Sequence, residues 1–179
     1  MKKIILFIFI TIIGFSANLY AAENQKLKRI SEGDKGAKVT IITYESLTCG
    51  HCADFHKDVY PNLKKDFIDK GLVKIEFRHF PLDIAAFNAS KISQCNNDGK
   101  SNLLHVLFSG QKKWARGKTP EEATEYLKKF LKDEGIKIDF EKCLKNKAIE
   151  DLVLNDRIEG VKKFKVNATP TIIINDKKF

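Results

Sequence analysis

The sequence predicts an α/β fold in which a strand–helix–strand unit is followed by a long helical insertion and a returning strand. Three observations predict it. The β-branched run Val39-Thr40-Ile41-Ile42-Thr43-Tyr44 and the alternating run Leu72 to Phe80 have strand character, with helical periodicity between them. Residues 83–164 carry helical patterns with start and stop signals throughout. Strand character returns at Thr171-Ile172-Ile173-Ile174-Asn175. At 179 residues and 43% hydrophobic content, the chain can bury a core of its own.

The N-terminus pairs Lys2-Lys3 with the apolar run Ile4 to Ile13 and ends in small residues at Ala21. That pattern predicts a secretory signal peptide over 1–21. The run is interrupted by Thr11, Ser16 and Asn18, and a spanning helix needs about 20 apolar residues. The expectation is therefore cleavage after Ala21, no stable membrane insertion afterwards, and a periplasmic location, where disulfides persist. Residues 22–37 are polar, with Gly33 and Gly36, and read as an arm.

Residues 38–82 make the first part of the fold. From Cys52 to about Lys70, Phe55, Val59, Leu63 and Phe67 recur at helical spacing, and Pro61 within that run predicts a kink. Gly71 closes the helix and Pro81 ends the second strand. Strand, helix, strand implies a parallel pair with a crossover helix. In the insertion, residues 83–164, helices are expected over Ile84–Asn97 and Asn102–Arg116. A third follows the cap and box signal Thr119-Pro120-Glu121-Glu122 and stops at Gly135. Asp139 caps a short helix holding Cys143, and another helix covers Ala148–Phe164. Residues 165–179 return to the sheet, with a turn expected at Asp176-Lys177-Lys178 and a new strand beginning at Phe179.

The formal net charge is +9, but the lysines are scattered among acids, without a basic stripe interleaved with aromatics. This reads as a solvated surface, and no nucleic-acid partner is expected.

Four cysteines stand at 49, 52, 95 and 143. Cys49 and Cys52 flank Gly50-His51 at the strand-to-helix junction, a spacing that closes a small redox-active disulfide. A sulfur at a helix start faces free N–H groups that favour its anion. The dipole supplies only ~1 kcal/mol, about 0.7 of a pKa unit. Direct hydrogen bonds and a charged His51 are expected to add to it. Cys49 is read as the exposed nucleophile and Cys52 as the buried resolving sulfur. Two other readings stay open. Cys49 and Cys52 with a histidine such as His56 make half of a zinc site, and a purely structural bridge is the other. Neither a metal nor a cofactor is expected. Cys95 and Cys143 form a structural disulfide across the insertion or remain buried free thiols; the exported setting favours the bridge.

Among the remaining residues, Trp114 with Leu103, Leu107 and Phe108 reads as core, His79 as structural, and Glu45 as a solvated strand residue unless it points inward toward Cys52.

The run Tyr44 to His56 with Cys49-Gly50-His51-Cys52 resembles the active-site strand and helix of thioredoxin-fold proteins. Phe77-Arg78-His79-Phe80-Pro81-Leu82, the helical insertion and Ala168-Thr169-Pro170-Thr171 narrow the resemblance to the DsbA family of thiol:disulfide oxidoreductases. It implies a thioredoxin fold with an inserted all-helical subdomain and a cis Thr169–Pro170 peptide facing Cys49. Thr169, Pro170 and His51 would support the cysteines. It also implies oxidation of reduced exported proteins, with re-oxidation by a membrane quinone-linked partner of the DsbB type. Two departures are visible. Gly50-His51 resembles protein disulfide isomerase rather than the Pro-His of the best-known members. A C-terminal strand and helix usual in the family are missing after Phe179, which would leave a strand edge unpaired.

Overall fold

The computed structural model describes residues 27–179, so the expected signal peptide lies outside the described residues. One sheet holds β1 (Ile30–Glu32), β2 (Val39–Glu45), β3 (Val73–His79), β4 (Thr171–Ile174) and β5 (Lys177–Lys178), in the order β1-β3-β2-β4-β5. β2 and β3 are parallel, with Val39 beside Val73 and Glu45 beside His79. The other pairs are antiparallel. This is the expected thioredoxin-like fold. Part of the polar arm is itself strand, because Ile30 buries its side chain in the core beside β3.

A parallel pair needs a crossover. Here it is one helical run made of α1 (Gly50–Asp54), a π-helical stretch (Phe55–Val59), α2 (Tyr60–Leu63) and a second π stretch (Lys64–Ile68). Pro61 sits in the first turn of α2, where its missing N–H leaves no gap. The π stretch ahead of it, closed by the Tyr60 N–H donating to the Phe55 carbonyl, accommodates the proline in place of a plain kink.

Of the apolar stripe the spacing predicts, Phe55 and Leu63 pack partly buried against the core, but the fully buried positions are others. Cys52, His56, Tyr60 and Ile68 are buried, whereas Val59 and Phe67 are 52% and 47% exposed. Hydrophobic spacing mistakes the face because His56 and Tyr60 are polar, and their burial is made tolerable by hydrogen bonds that sequence does not display.

The insertion contains α3 (Ile84–Ser93), α4 (Asn102–Ser109), α5 (Gln111–Trp114), α6 (Pro120–Asp133), α7 (Phe140–Lys145) and α8 (Lys147–Phe164). The helix expected over Asn102–Arg116 is divided at Gly110, where the ring of Phe130 occupies the space a Cβ would need. Asp83, Thr119, Asp139 and Asn146 cap α3, α6, α7 and α8 with their side chains. Glu122 returns its carboxylate to the Lys118 N–H, one residue earlier than the usual box.

Ile41, Ile75 and Phe77 on one face of the sheet pack with Leu107, Phe108, Trp114 and Leu127 of the insertion. Trp114 is fully buried as expected, and its indole N–H donates to the Leu107 carbonyl. On the other face Tyr44, Phe80, Phe164, Val166 and Ile173 form a smaller core. Gly160 of α8 lies against the Tyr44 ring, where a Cβ would be 2.8 Å from a ring carbon.

The last turn comes one residue earlier than expected. Asn175 and Asp176 take left-handed φ values of 45° and 66°, a conformation these two residues adopt readily, so β5 starts at Lys177. Lys177 and Lys178 pair with Ile174 and Ile173, so the β4 edge is covered over those two residues instead of standing unpaired.

Cys95, just after α3, forms a disulfide with Cys143 of α7 across 48 residues, with Cα atoms 5.4 Å apart. Loop-closure entropy assigns such a bridge roughly 3–4 kcal/mol. The double variant Cys95→Ala/Cys143→Ala is expected to lose that much in urea unfolding, with the redox chemistry of Cys49 and Cys52 retained. An unchanged unfolding midpoint would remove the bridge from the account of stability.

Candidate active site

β2 ends at Glu45, and four residues later the crossover helix begins. The Cys49 N–H donates to the Ser46 carbonyl, and the Ala53 N–H donates to the Cys49 carbonyl. Thr48 Oγ1 donates to Asp83 at 2.7 Å, and the Leu82 N–H donates to Ser46 Oγ at 3.3 Å. From the insertion, the Gln111 amide donates to the carbonyls of Leu47 and Cys49, each at 2.9 Å. The loop carrying the first cysteine is thus held by both parts of the fold.

Cys49 and Cys52 are present as free thiols. Cys49 is partly exposed and Cys52 fully buried. Cys49 Sγ donates to the Thr169 carbonyl at 3.3 Å, next to the cis Thr169–Pro170 peptide. The chain therefore brings Cys49, Cys52, Thr169 and Pro170 together across 120 residues of sequence. His51 does not join them. It is 88% exposed and its Nδ1 lies 3.8 Å from Asp54. Nor does a helix N–H cap the Cys49 side chain. Neither of the expected donors reaches the sulfur, whose hydrogen bond is instead to an acceptor, the Thr169 carbonyl.

The Cys52 thiol is pushed well above the ordinary cysteine range, first by burial and then by the negative charge of Glu45. Glu45 is buried, not solvated as a strand residue at a sheet end would be; it sits on the β2 face beneath the crossover helix. Its Oε2 lies 2.8 Å from His56 Nε2, and its Oε1 is buried with no partner. His56, weighed by sequence as a metal ligand, is stacked on Phe108 at 4.0 Å and lies 2.9 Å, Nδ1 to Nδ1, from His105 of α4. His105 Nε2 in turn lies 2.9 Å from Glu32 Oε1. Among the described residues no group of three or more His, Cys, Asp or Glu is arranged to hold a metal ion.

His79 lies beside Glu45 across the β2–β3 pair but makes no hydrogen bond to the chain of contacts. Burial holds its imidazole below the usual pKa, with Asp156 opposing that, and its Nε2 has no hydrogen-bond partner. Sequence reasoning missed Gln111, His105 and Glu32. A lone glutamine, a histidine on a helical insertion and a glutamate in a polar arm carry no local signal. His56, four residues after Cys52, carried one.

Glu32 is the most heavily bonded carboxylate of the group. Burial alone would raise its pKa, but hydrogen bonds from His105, Ser101 and Tyr60 overcome that and bring it down to about 2. A folded pKa below the unfolded value of 4.5 gives stability that is complete above pH 4.5 and lost as the pH falls toward 2. At about 1.4 kcal/mol per unit the full loss is roughly 3 kcal/mol. Glu32→Gln is expected to flatten the acid limb of the stability–pH curve over that window. An acid limb identical in the variant would show that Glu32 does not carry it.

Comparison with known proteins agrees with this geometry. The Thioredoxin family model matches residues 25–179. The chain is 26% identical over 150 residues to a putative protein-disulfide oxidoreductase of Rickettsia bellii, covering 80% of this chain and 55% of that protein. The chain thus spans about half the length of that relative. It is 30% identical over 154 residues to the probable disulfide bond formation protein D of Bacillus anthracis, covering 81% and 69% of the two chains. Among solved structures, Wolbachia pipientis alpha-DsbA1 superposes with a TM-score of 0.73 at 32% identity, covering 84% of this chain and 78% of that one. Oxidised BdbD from Bacillus subtilis gives 0.64 at 27%, with 84% and 83% covered. A pair of cysteines two residues apart at the start of the crossover helix, the cis-proline loop against it and the helical insertion are thus joined by sequence and structural likeness, and the chain belongs to the DsbA family of thioredoxin-fold thiol:disulfide oxidoreductases.

Proposed function

We propose that the protein is an exported dithiol oxidase that introduces disulfides into secreted or periplasmic proteins. The observation that carries this reading is the unequal placement of two sulfurs two residues apart, Cys49 reachable from solvent and Cys52 sealed. In the oxidised form a substrate thiolate attacks Cys49, the only one of the two sulfurs it can reach. The Cys49–Cys52 bond breaks and its electron pair goes to Cys52, which takes a proton. A second substrate thiolate attacks the mixed disulfide and releases Cys49. The substrate leaves oxidised, and two electrons and two protons remain on the enzyme pair. A membrane quinone-linked partner of the DsbB type would remove them.

Substrate docking is supported by two apolar side chains beside the loop. Leu82 and Ile84 are 53% and 59% exposed and flank Asp83, which holds Thr48. They suit an unfolded chain that offers apolar side chains next to its cysteines. The charged-free start of the leader's apolar run after Lys2-Lys3, together with the Cys95–Cys143 disulfide, supports export.

A reductase or isomerase of the same fold is the second reading. The Gly50-His51 dipeptide and the Cys49 thiol donating to Thr169, with no helix N–H bonded to its sulfur, favour a less oxidising pair. The spread between isomerase and DsbA potentials is ~60 mV, or about 2.8 kcal/mol. Equilibration of Cys49–Cys52 with glutathione separates the readings. The oxidase requires a potential near −120 mV, the order found for DsbA, and a value near that of thioredoxin would overturn it. Cys49→Ser is expected to abolish oxidation of a reduced dithiol peptide while circular dichroism stays native. Continued turnover by that variant would place the chemistry elsewhere.

A further inference from the structure

Three short contacts run in series from Glu45, which meets His56 one helical turn after Cys52. They are Glu45 Oε2 to His56 Nε2 at 2.8 Å, His56 Nδ1 to His105 Nδ1 at 2.9 Å, and His105 Nε2 to Glu32 Oε1 at 2.9 Å. Each needs one hydrogen between its heavy atoms. Two neutral imidazoles supply one N–H each, and two carboxylates supply none. Three contacts therefore need one proton more than two neutral histidines and two carboxylates provide. Glu32 is not its holder, since Tyr60, Ser101 and Lys64 already direct donors at its oxygens.

The extra proton has three positions that satisfy every contact. On Glu45, the carboxyl donates to His56 Nε2, His56 Nδ1–H to His105 Nδ1, and His105 Nε2–H to Glu32. On His56, both ring N–H groups donate, to Glu45 and to His105. On His105, its Nδ1–H donates to His56 and its Nε2–H to Glu32. Moving between these states shifts hydrogens along existing bonds and displaces no heavy atom. One end of the chain is sealed, since Glu45 and His56 have side chains 4% and 5% exposed. The other end opens on a cavity of about 320 Å³ lined by Glu32, Tyr60, Lys64, Lys100, Ser101 and His105. None of the residues lining it belongs to the cysteine pair or the Thr169–Pro170 loop.

We propose that Glu45, His56, His105 and Glu32 form a proton relay linking the buried Cys52 sulfur to water at this second opening, apart from the face where substrate meets Cys49. The proposal rests on the disulfide-exchange reading above. When substrate sulfur bonds to Cys49 and the Cys49–Cys52 bond breaks, the electron pair lands on Cys52 in a site without water access. Glu45 passes its proton to that sulfur from the carboxyl edge His56 does not use. This leaves the hydrogens of both imidazoles on the nitrogens that face Glu32, so each ring must turn or exchange its hydrogen to the nitrogen facing Glu45 before the series recharges. His56 Nε2–H then passes to Glu45, His105 Nδ1–H to His56, and His105 Nε2 takes a proton from water in the cavity. One proton from solvent enters at His105, one appears as the Cys52 thiol, and the relay returns to its starting count. Re-oxidation runs it backwards. The charged and titratable groups facing the relay are Cys52 and Tyr60 on the crossover helix, His79 on β3 beside Glu45, Glu32 on β1, and Lys64 and Lys100 at the opening. His105 and Glu32 are positioning residues that act through Glu45.

The test is the rate at which reduced glutathione opens the Cys49–Cys52 disulfide of the whole chain, followed by acid quench and thiol alkylation from pH 5 to 8. His105→Ala is expected to slow opening at least about tenfold above pH 7, within the range of lost acid–base assistance. Imidazole in the buffer, entering at the vacated side chain, is expected to restore the rate. An unchanged rate and pH profile in His105→Ala would overturn the relay and leave the exchange reading standing. So would a slowed variant that keeps the wild-type profile and does not respond to imidazole. A wild-type disulfide that glutathione does not open would overturn the exchange reading itself. Nitrogen-15 spectra of the wild-type histidines need no variant. The relay requires a hydrogen shared between the two Nδ1 atoms, and two rings with no coupling between them would overturn it.

Discussion

The parallel pairing of β2 with β3 is the constraint on which the site depends. Two parallel strands cannot be joined by a hairpin, so the chain must leave the end of β2, cross the sheet and return. The crossover helix therefore starts where β2 stops. That places Cys49 at the edge of the fold and Cys52, one turn on, beneath it against the sheet. The unequal exposure of the two sulfurs follows from one turn of helix laid on a sheet. In the exchange proposed above, this inequality gives the pair a direction, with attack at the outer sulfur and charge arriving at the inner one.

Charge arriving at a buried sulfur is a problem the rest of the interior answers. Burial and the nearby Glu45 both disfavour a Cys52 thiolate, so the inner sulfur is committed to the protonated state once the disulfide opens. A sealed carboxyl beside it would be a costly defect if isolated. It is instead the first member of a hydrogen-bonded series ending on a carboxylate that solvent reaches. Pairing offsets the cost of burying such groups, although Glu45 Oε1 stays without a partner, and the histidines are held by rings as well as by hydrogen bonds. His56 stacks on Phe108 and His105 on Tyr60.

The helical insertion is a working part of the site. α4 brings His105 and Phe108 against the crossover helix, and α5 brings Gln111 against the two carbonyls of the cysteine loop. The break at Gly110 lets these two short helices aim at different targets, and Phe130 of α6 fills the angle between them. The Cys95–Cys143 bridge ties α3 to α7 on the same subdomain. The insertion is thus fastened to itself covalently and to the redox loop by hydrogen bonds.

The sequence by itself determined the strands β2, β3 and β4, the caps at Thr119, Asp139 and Gly71, and the cysteine pair at a strand-to-helix junction. Each of these is written in neighbouring residues, as period-two β-branched runs, side chains that satisfy helix-end N–H groups, or a two-residue spacing. Only the tertiary structure decided what lies around the pair. The buried face of the crossover helix shifted to His56 and Tyr60 because their partners come from Glu45, Glu32 and His105, up to 73 residues apart in the chain. His51 went to solvent and Glu45 to the interior, against the reading from local polarity. A polar side chain is buried when distant groups complete its hydrogen bonds, and that completion is a property of the assembled fold, which no local pattern of residues encodes.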